Sequence, residues 1–577
     1  MALIPSESPN INVREFDLSG VVPAVTTSTG AIAGEFAWGP VEQPILVGNE
    51  AELVSNFGAP GLDSDVSTAT DFLTASTFLK YSSNTYVTRV YADSDRNSVA
   101  AGDSQLIKNL DDFTSKQSGL TANKVIAKYP GSVGNSLKVS VFTGTTSDSD
   151  FNAWAYSSYF DGKPGTSDYV SNLSADSSVA LDEVHVAVID EDGLLSGTAG
   201  TVLETFPYAS VVSDAKTDFG ATNYVVDVLN NKSSYVWATS FAADITNAGV
   251  TATNWVATDS DAGITVNMSL SGGVQRAKNV GDYQQGFDQY ADADTIQVDF
   301  LIAPQMGSTD DQVTIANYLA AIASTTRKDC VAVTSPPRES VVGVSNSATV
   351  VSNTVTFANR LTNTSYLVID NNFVKVYDKY NDEYVFIPAA SSTAGIMAAT
   401  DNVAAPWFSP AGQRRGQYLG VTSLAYSPTQ SQRDTLYKAS VNPIVNLPGQ
   451  GILLYGDKTN QGRPSAFDRI NVRRLFLAIE RAIKGAAQNV MFEFNDEFTR
   501  AEFVNAVEPF LREVKGRRGI TDFRVVCDET NNTSDVIDNN QFVATVFVKP
   551  ARSINYVTLN FVAVRTGVDF EEVAGLV

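Results

Sequence analysis

One histidine, His185, and two cysteines, Cys330 and Cys527, are the only imidazole and thiols in the chain. A Ser–His–Asp triad or a Cys–His pair needs an imidazole to move the proton, and zinc sites draw mainly on imidazole and thiolate. His185 stands in the alternating run VHVAVID and reads as a strand residue. Cys330 opens CVAVTS and Cys527 closes RVVC, so both read as small core side chains, and two cysteines make no disulfide framework. Other chemistry would fall to carboxylates. The acids in IDEDG (189–193) lack the spacing of an EF-hand loop and read as a turn. Paired carboxylates can hydrolyse glycosides, but among 64 Asp and Glu residues, proximity in sequence carries no weight. No GxxxxGK[ST] stretch offers a phosphate cradle. No catalytic residue, cofactor or metal-ligand set is expected.

At about 150 residues per domain, 577 residues predict three or four domains. Apolar residues make up 43% and charged residues 18%, an ordinary globular composition. Forty Lys and Arg stand against 64 acids, a net charge of −24 that phosphate backbones repel, so no direct nucleic-acid partner is expected. No run of 18 to 20 apolar residues predicts a membrane span. The start, MALIPSESPNINV, has neither a basic region nor an apolar core, so no signal peptide is expected.

The elements that would position functional residues change character along the chain. Residues 21–48 read as short strands and tight turns, 66–80 as a helix, and TYVTRVY from Thr85 as a strand. Between 141 and 270 there are 17 acids, three lysines and no arginine, with short β-type runs and no long helix. The stretch 96–270 is therefore expected to be an inserted, exposed β-rich domain with a solvated acidic face. Residues 271–454 look α/β: a strand in 296–304, a helix over 310–326, a strand in 328–337, and a meander over 365–389 with turns at NN and YND. Ser465 to Asp468 resembles a capping box opening a helix through Ala487, and Thr499 to Glu502 a second box before a helix that Pro509 must kink or restart. Alternating strands are expected in 541–550 and 554–564.

Several segments carry a resemblance. They are GEFAWGP (34–40), ILVGNEAELVSNFGAP (45–60), AKYPGSVGNSLKVSV (127–141), LSGGV (270–274), RKDCVAVTSPPR (327–338), PWFSPAGQRRG (406–416), NQGRPSAFDRINVRRLF (460–476), RVVCDETNN (524–532) and ARSINYVTLNFVAV (551–564). In this order, over nearly the whole chain, they resemble the contractile tail sheath proteins of bacteriophages, the T-even-type family in particular. The sequence departs in two places. Gln275-Arg276 follow LSGGV where the family often has Asp-Gly, which leaves that turn's geometry open, and the acidic region 142–269 matches no motif. The AWGP, YPGSVGN and SPAG stretches read as tight turns.

The resemblance implies an α+β multidomain chain: a C-terminal α/β assembly domain (455–565), a discontinuous middle subtilisin-like α/β domain (21–95 with 271–454) and an inserted β-rich peripheral domain (96–270). "Subtilisin-like" concerns topology, since the middle region has no histidine. It further implies an N-terminal arm (1–20) and a C-terminal arm (566–577). The expected function is mechanical: hexameric rings of this chain stack around a tail tube protein, bounded by baseplate and tail terminator proteins. The lattice contracts from a metastable extended state and drives the tube through the host envelope, with no cofactor. The chain would assemble in the host cytoplasm, reside in the virion and insert in no membrane. The alternatives are a phage-derived contractile injection machine, a surface lattice or adhesin protein, and a carboxylate-dependent hydrolase.

Two sets of candidate residues follow. INVREF (11–16) is an isolated alternating strand that either joins its own chain's sheet or, as the family implies, is donated to a neighbour. The intersubunit arms would then use Ile11, Val13, Phe16, Val568 and Phe570. From 460 to 520 there are 11 Lys or Arg against eight acids. At about 100° per residue, Val472, Leu475, Phe476, Ile479, Ile483 and Val490 share one stripe, with Arg469, Arg473, Arg474, Arg481 and Lys484 opposite. That basic face is either merely solvated or, since the family's C-terminal domains line the inside of the sheath, faces the tube.

Overall fold

A computed structural model describes residues 28–61, 66–173, 181–239 and 265–555. Among these residues the chain divides into two compact units, the larger within 28–406 and 410–485, the smaller within 407–409 and 486–555. Both mix helices and sheets, an α+β architecture.

In chain order the strands of the larger unit are β1 (Gly30–Gly34), β2 (Ile45–Val47), β3 (Thr85–Arg89), β4 (Val125–Ala127), β5 (Leu137–Thr143) and β6 (Glu183–Asp190). Next come β7 (Thr201–Ser210), β8 (Val236–Ala238), β9 (Thr265–Ser269), β10 (Phe300–Ile302), β11 (Val331–Thr334) and β12 (Leu367–Asp370). The last are β13 (Phe373–Asp378), β14 (Glu383–Pro388), β15 (Val421–Leu424), β16 (Val441–Asn442), β17 (Ile444–Leu447) and β18 (Gly451–Leu454). Seven of them form one sheet in the order β16-β12-β11-β10-β1-β3-β2, parallel except for β2. The sequence reason is visible in FLI, VAVT and LVID, which are apolar without alternation, as a strand covered on both faces must be. Ala31, Leu301, Ala332 and Ile369 pack into the core on one side, and Ile32, Ile302, Val333 and Val368 into the core on the other.

Two expectations need adjusting. The predicted meander over 365–389 is split: β12 belongs to the parallel sheet, and the NN turn sends the chain into a separate antiparallel sheet, β14-β13-β15. The helix after β10 spans Thr309–Ala321 and then widens into a π turn over Ile322–Arg327.

Between β3 and β10 lies the stretch read as an insertion. Its valine-rich alternating strands form the antiparallel sheet β7-β6-β5-β9, with Val139, Val141, Val184, Val186 and Val188 turned to one core. The chain enters and leaves side by side, since Arg96 bridges Val274 and Val99 bridges Ser271. Buried Arg89 ties this crossing to the core: its guanidinium donates to the carbonyls of Phe36 (2.8 Å), Gly39 (3.0 Å) and Pro130 (2.7 Å) and to Gln275 Oε1 (3.1 Å). Asp95 and Lys278 form a buried ion pair (3.0 Å) beside it, and Asp95 also accepts from Arg276 N (2.7 Å). The Gln275-Arg276 pair that departs from the family pattern is therefore ordered by specific partners. The AWGP turn needs its glycine: Gly39 has φ +104, and a Cβ there would meet the Asn56 carbonyl oxygen at 2.5 Å.

Candidate assembly site

The residues with chemical potential are caged. At His185 the β6–β7 ladder is broken, because Val184 pairs with Ala209 while Val186 pairs with Phe206. The extra residues on β7 are Pro207, which has no N–H, and Tyr208, whose N–H donates to His185 Nδ1 (3.1 Å). Nε2 must then carry the ring proton and donate to the Gly162 carbonyl oxygen (2.7 Å). The ring is stacked on Phe160 with centroids 4.4 Å apart. Burial holds its pKa below the ordinary 6.5. The unfolded chain therefore takes up a proton near pH 6.5 that the native state refuses, so stability is full above that pH and falls as pH drops below it. His185→Gln is expected to lose about 1–2 kcal/mol at pH 7.5, from the stack and the bulge bond. It should also show a shallower acid loss between pH 6.5 and 5 than the parent in urea titrations. Equal acid slopes would show that His185 does not titrate there.

Cys330 is fully buried, and burial pushes its thiol up to about 12, so it is inert. Cys527 is also buried and free. The acids of IDEDG form a turn, with Asp190 accepting from Ser136 Oγ and the backbone of Gly193, Leu195 and Ser196. Among the described residues no group of three His, Cys, Asp or Glu could hold a metal ion, and no helix is long and apolar enough to cross a membrane.

In open α/β sheets ligands gather at the carboxyl ends of the strands. Here that edge is filled by a closed polar network. Asp370, at the end of β12, accepts from Ser335 Oγ (3.0 Å), Thr393 Oγ1 (3.2 Å) and Asn372 N (3.3 Å). Asn371 donates to Tyr426 Oη (2.7 Å) and accepts from Ile444 N (2.8 Å). Every residue of this set except Tyr426 is at most 1% exposed. Burial raises the Asp370 carboxyl from 3.8 to about 7.

The opposite edge of the sheet holds the predicted basic helix, and here the sequence reading is corrected. Ser465 caps only a 3₁₀ turn, Ala466–Asp468, and the helix runs from Ile470 to Gln488. Its arginines do not present a free face. Arg473 is 6% exposed, donates to Ser365 Oγ (2.7 Å) and lies between the rings of Tyr366 (4.2 Å) and Phe467 (4.1 Å). Arg474, 4% exposed, donates to the Met397 carbonyl oxygen (2.8 Å) and pairs with Asp401. Arg481 pairs with Asp299 and donates to the carbonyl oxygens of Val298 (3.2 Å) and Asp329 (2.8 Å). Arg469 pairs with Asp457 (2.9 Å). Lys484, exposed and paired with Asp294 (3.2 Å), is the one of the five that reaches solvent freely. Ser365, Asp299 and Asp329 lie one or two residues before β12, β10 and β11. Polar groups at strand starts lack ladder partners, and the five-donor guanidinium satisfies several at once.

The smaller unit carries a different kind of surface. Helix Glu497–Gly516 is capped by Asp496, which accepts from Thr499 N (2.8 Å), so the predicted box at Thr499 lies one turn inside the helix, and Pro509 is accommodated within it. Phe503, Val507, Leu511 and Val514 make its buried stripe. Beside it are β19 (Ile520–Val526) and β20 (Thr545–Pro550), an antiparallel pair with no third strand among the described residues. A two-stranded sheet leaves both edges unpaired, which is unstable in isolation and receptive to an added strand. Ile11, Val13, Phe16, Val568 and Phe570, the proposed arm residues, lie outside the described residues. Sequence periodicity did not single out Phe492, Phe494 and Phe498, which stand exposed where this helix begins.

Residues 486–555 of this unit fall within a recognised family segment. Residues 463–563 match the phage tail sheath C-terminal domain, 279–460 the phage tail sheath protein central domain, and 27–90 the tail sheath protein Gp18 domain III N-terminal region. The chain is 32% identical to the tail sheath protein of Enterobacteria phage T4, with 99% of each chain covered. It belongs to the phage tail sheath protein family. The tail sheath protein of Salmonella phage ViI is 33% identical, with 98% of each covered, and that of Vibrio phage KVP40 is 30% identical over 98% of this chain and 99% of that one. A crystal structure of a sheath tail protein from Listeria innocua shares the fold at a TM-score of 0.51 and 12% identity, covering 92% of this chain and 97% of that one. This chain is thus a tail sheath protein of the contractile phage type.

Proposed function

We propose that the chain is a non-catalytic sheath subunit that stacks as six-fold rings around a tail tube and contracts from a metastable extended lattice, driving the tube through the host envelope for genome delivery. The observation that carries this is the full-length match to tail sheath proteins of T4, KVP40 and ViI, all phage proteins, which favours a virus over an injection machine. In this reading 21–95 with 271–454 form the subtilisin-like middle domain, 96–270 the outer domain and 455–565 the assembly domain. The tube, baseplate and terminator proteins are the partners, and assembly takes place in the host cytoplasm. Energy would be stored in folded subunits with two alternative sets of contacts separated by a barrier.

The arms at 1–20 and 566–577 would add strands to the β19–β20 pair of neighbouring copies, which has no third strand among the described residues, each main-chain hydrogen bond contributing about 1 kcal/mol. The arginine helix no longer supports a tube contact through Arg473, Arg474 or Arg481, so the tube is assigned to another surface of the assembly domain. Negative-stain microscopy of the purified chain is expected to show long tubes. Deleting residues 1–17 or 566–577 should leave a folded monomer that forms none. Tubes of normal length from either truncation would overturn the strand-donation reading, and a parent chain that never polymerises would overturn the sheath reading itself.

A further inference from the structure

Helix Glu497–Gly516 carries opposite chemistry at its two ends. At its start Phe492, Phe494 and Phe498 are 101%, 84% and 76% exposed, and Met491 is 59% exposed. Glu493, Asp496, Glu497 and Glu502 are exposed among them. Phe492 sits at φ 71, a region bulky side chains avoid. Capping and the helix dipole account for Asp496 and Glu497 there. They do not account for three bare phenylalanines within seven residues, a cluster that water disfavours and that marks interaction surfaces.

The other end is basic. Residues 512–524 hold Arg512, Lys515, Arg517, Arg518 and Arg524 against Glu513 and Asp522. All five cations are exposed. Arg517 also lies over the Trp407 ring (5.2 Å), and the ion pairs inside the unit, Arg512–Glu508, Lys515–Asp522 and Arg517–Glu513, are solvent-accessible, hence weak and exchangeable. Twenty residues at 1.5 Å each hold the two ends about 30 Å apart, so the lip of one copy does not reach its own basic end. Aromatic faces rimmed by carboxylates are the surface on which guanidinium groups dock. Two different, complementary patches on one molecule make a heterologous contact, which repeats into a ring or filament and does not stop at two copies.

We propose that the aromatic, acidic lip at 491–502 of one copy docks on the basic end at 512–524 of the next, a head-to-tail contact between copies of this chain. The proposal rests on the sheath reading and adds to it a contact distinct from strand donation by the arms. The test compares Glu493→Lys with Glu497→Lys (lip reversal), Arg512→Glu with Arg518→Glu (end reversal), and all four together, in the full chain, by sedimentation and negative-stain microscopy. Monomer thermal unfolding is recorded alongside. Either reversal alone is expected to raise the concentration needed for polymerisation by about tenfold or more, and the fourfold variant to return it to within about threefold of the parent. Phe492→Ser with Phe494→Ser, at two nearly fully exposed positions, should give the same rise and serves if a charge variant unfolds. Reversals that polymerise like the parent, or a fourfold variant no better than either half, overturn the contact while leaving the sheath reading standing. So does a lip variant that polymerises normally but no longer coats tail tubes, since the lip would then face the tube. A parent that remains monomeric at every concentration overturns both.

Discussion

Arg481→Met is expected to lower the unfolding free energy of the monomer by about 3–5 kcal/mol, the usual cost of stripping one partner from a buried ion pair. The guanidinium is mostly buried, faces a buried Asp299, and satisfies two carbonyl oxygens at the starts of β10 and β11. Burial already holds the Asp299 carboxyl above its ordinary range, and Arg481 is the chief influence opposing that rise. Without the arginine, Asp299 would escape part of the penalty by keeping its proton. The deficit should therefore be smaller at pH 5 than at pH 8, because a carboxyl with a raised native pKa loses its stabilising contribution as pH rises. Adding Asp299→Asn should recover much of the loss at pH 8, leaving the unpaired carbonyls as the remainder. Lys484→Met, at an exposed pair on the same helix, should cost no more than about 0.5 kcal/mol. Urea titrations of the four proteins at both pH values decide the matter. An Arg481→Met deficit as small as that of Lys484→Met would mean that the arginine is solvated after all. By the same reasoning, glutamates at positions 473 and 474 would put carboxylates against the Ser365 and Asp401 sites and stop the chain folding, so such a variant cannot report on a tube contact.

That contrast shows what a sequence can and cannot carry. The apolar runs at β10, β11 and β12, and the helix between β10 and β11, were legible because burial on both faces leaves no polar alternation to mistake. Strand β6 was legible from its valine alternation, whereas the valines at 225–228 look alike in sequence and fold into a helix, Val225–Lys232. The arginine helix was half legible. Its apolar stripe follows from period, but the partners of its other face, Ser365, Asp401 and Asp299, are 73 to 182 residues distant in the chain, and no local pattern announces them. Charge on a helix therefore looked like solvation when it was pairing. Helix starts were misplaced as well. Ser465 and Thr499 both have the spacing of a cap, yet the chain uses Ser465 for a 3₁₀ turn and Asp496 in place of Thr499. The histidine cage depended on Pro207 forcing a bulge, which is invisible until β6 and β7 are paired. Phe492 lies in a turn and Phe494 in the irregular stretch after it, where no periodicity separates core from surface, and Phe498 stands exposed in the first turn of the helix.

Asp370→Asn should stabilise the chain at pH 8 and leave it nearly unchanged at pH 4. The carboxyl is fully buried at the carboxyl end of β12, and the donors it meets, Ser335 Oγ, Thr393 Oγ1 and Asn372 N, are all neutral. Dipoles of this kind offset only part of the cost of burying a charge, so the acid keeps its proton up to about pH 7, where the unfolded chain releases it near 3.8. Between those values the native state holds one more proton than the unfolded state, and stability falls as pH rises through the window. The full loss is at most about 4 kcal/mol, at 1.36 kcal/mol per unit. An asparagine has the same shape, never ionises, and can be met by hydroxyls that rotate to suit it. The measurement is the difference between variant and parent in urea-derived stability at pH 4, 6 and 8, which cancels the titration of every other group. It should widen in the variant's favour by a few kcal/mol from pH 4 to pH 8. A difference that stays flat would mean that Asp370 does not titrate in that window and that its hydroxyl cage solvates a charge as well as water does. A closed network costs little while its central acid is neutral and strains the sheet once it ionises. The strand end that in other α/β folds opens to a ligand is here filled by this network, whose contribution is complete below about pH 4 and fades as pH rises through about 7.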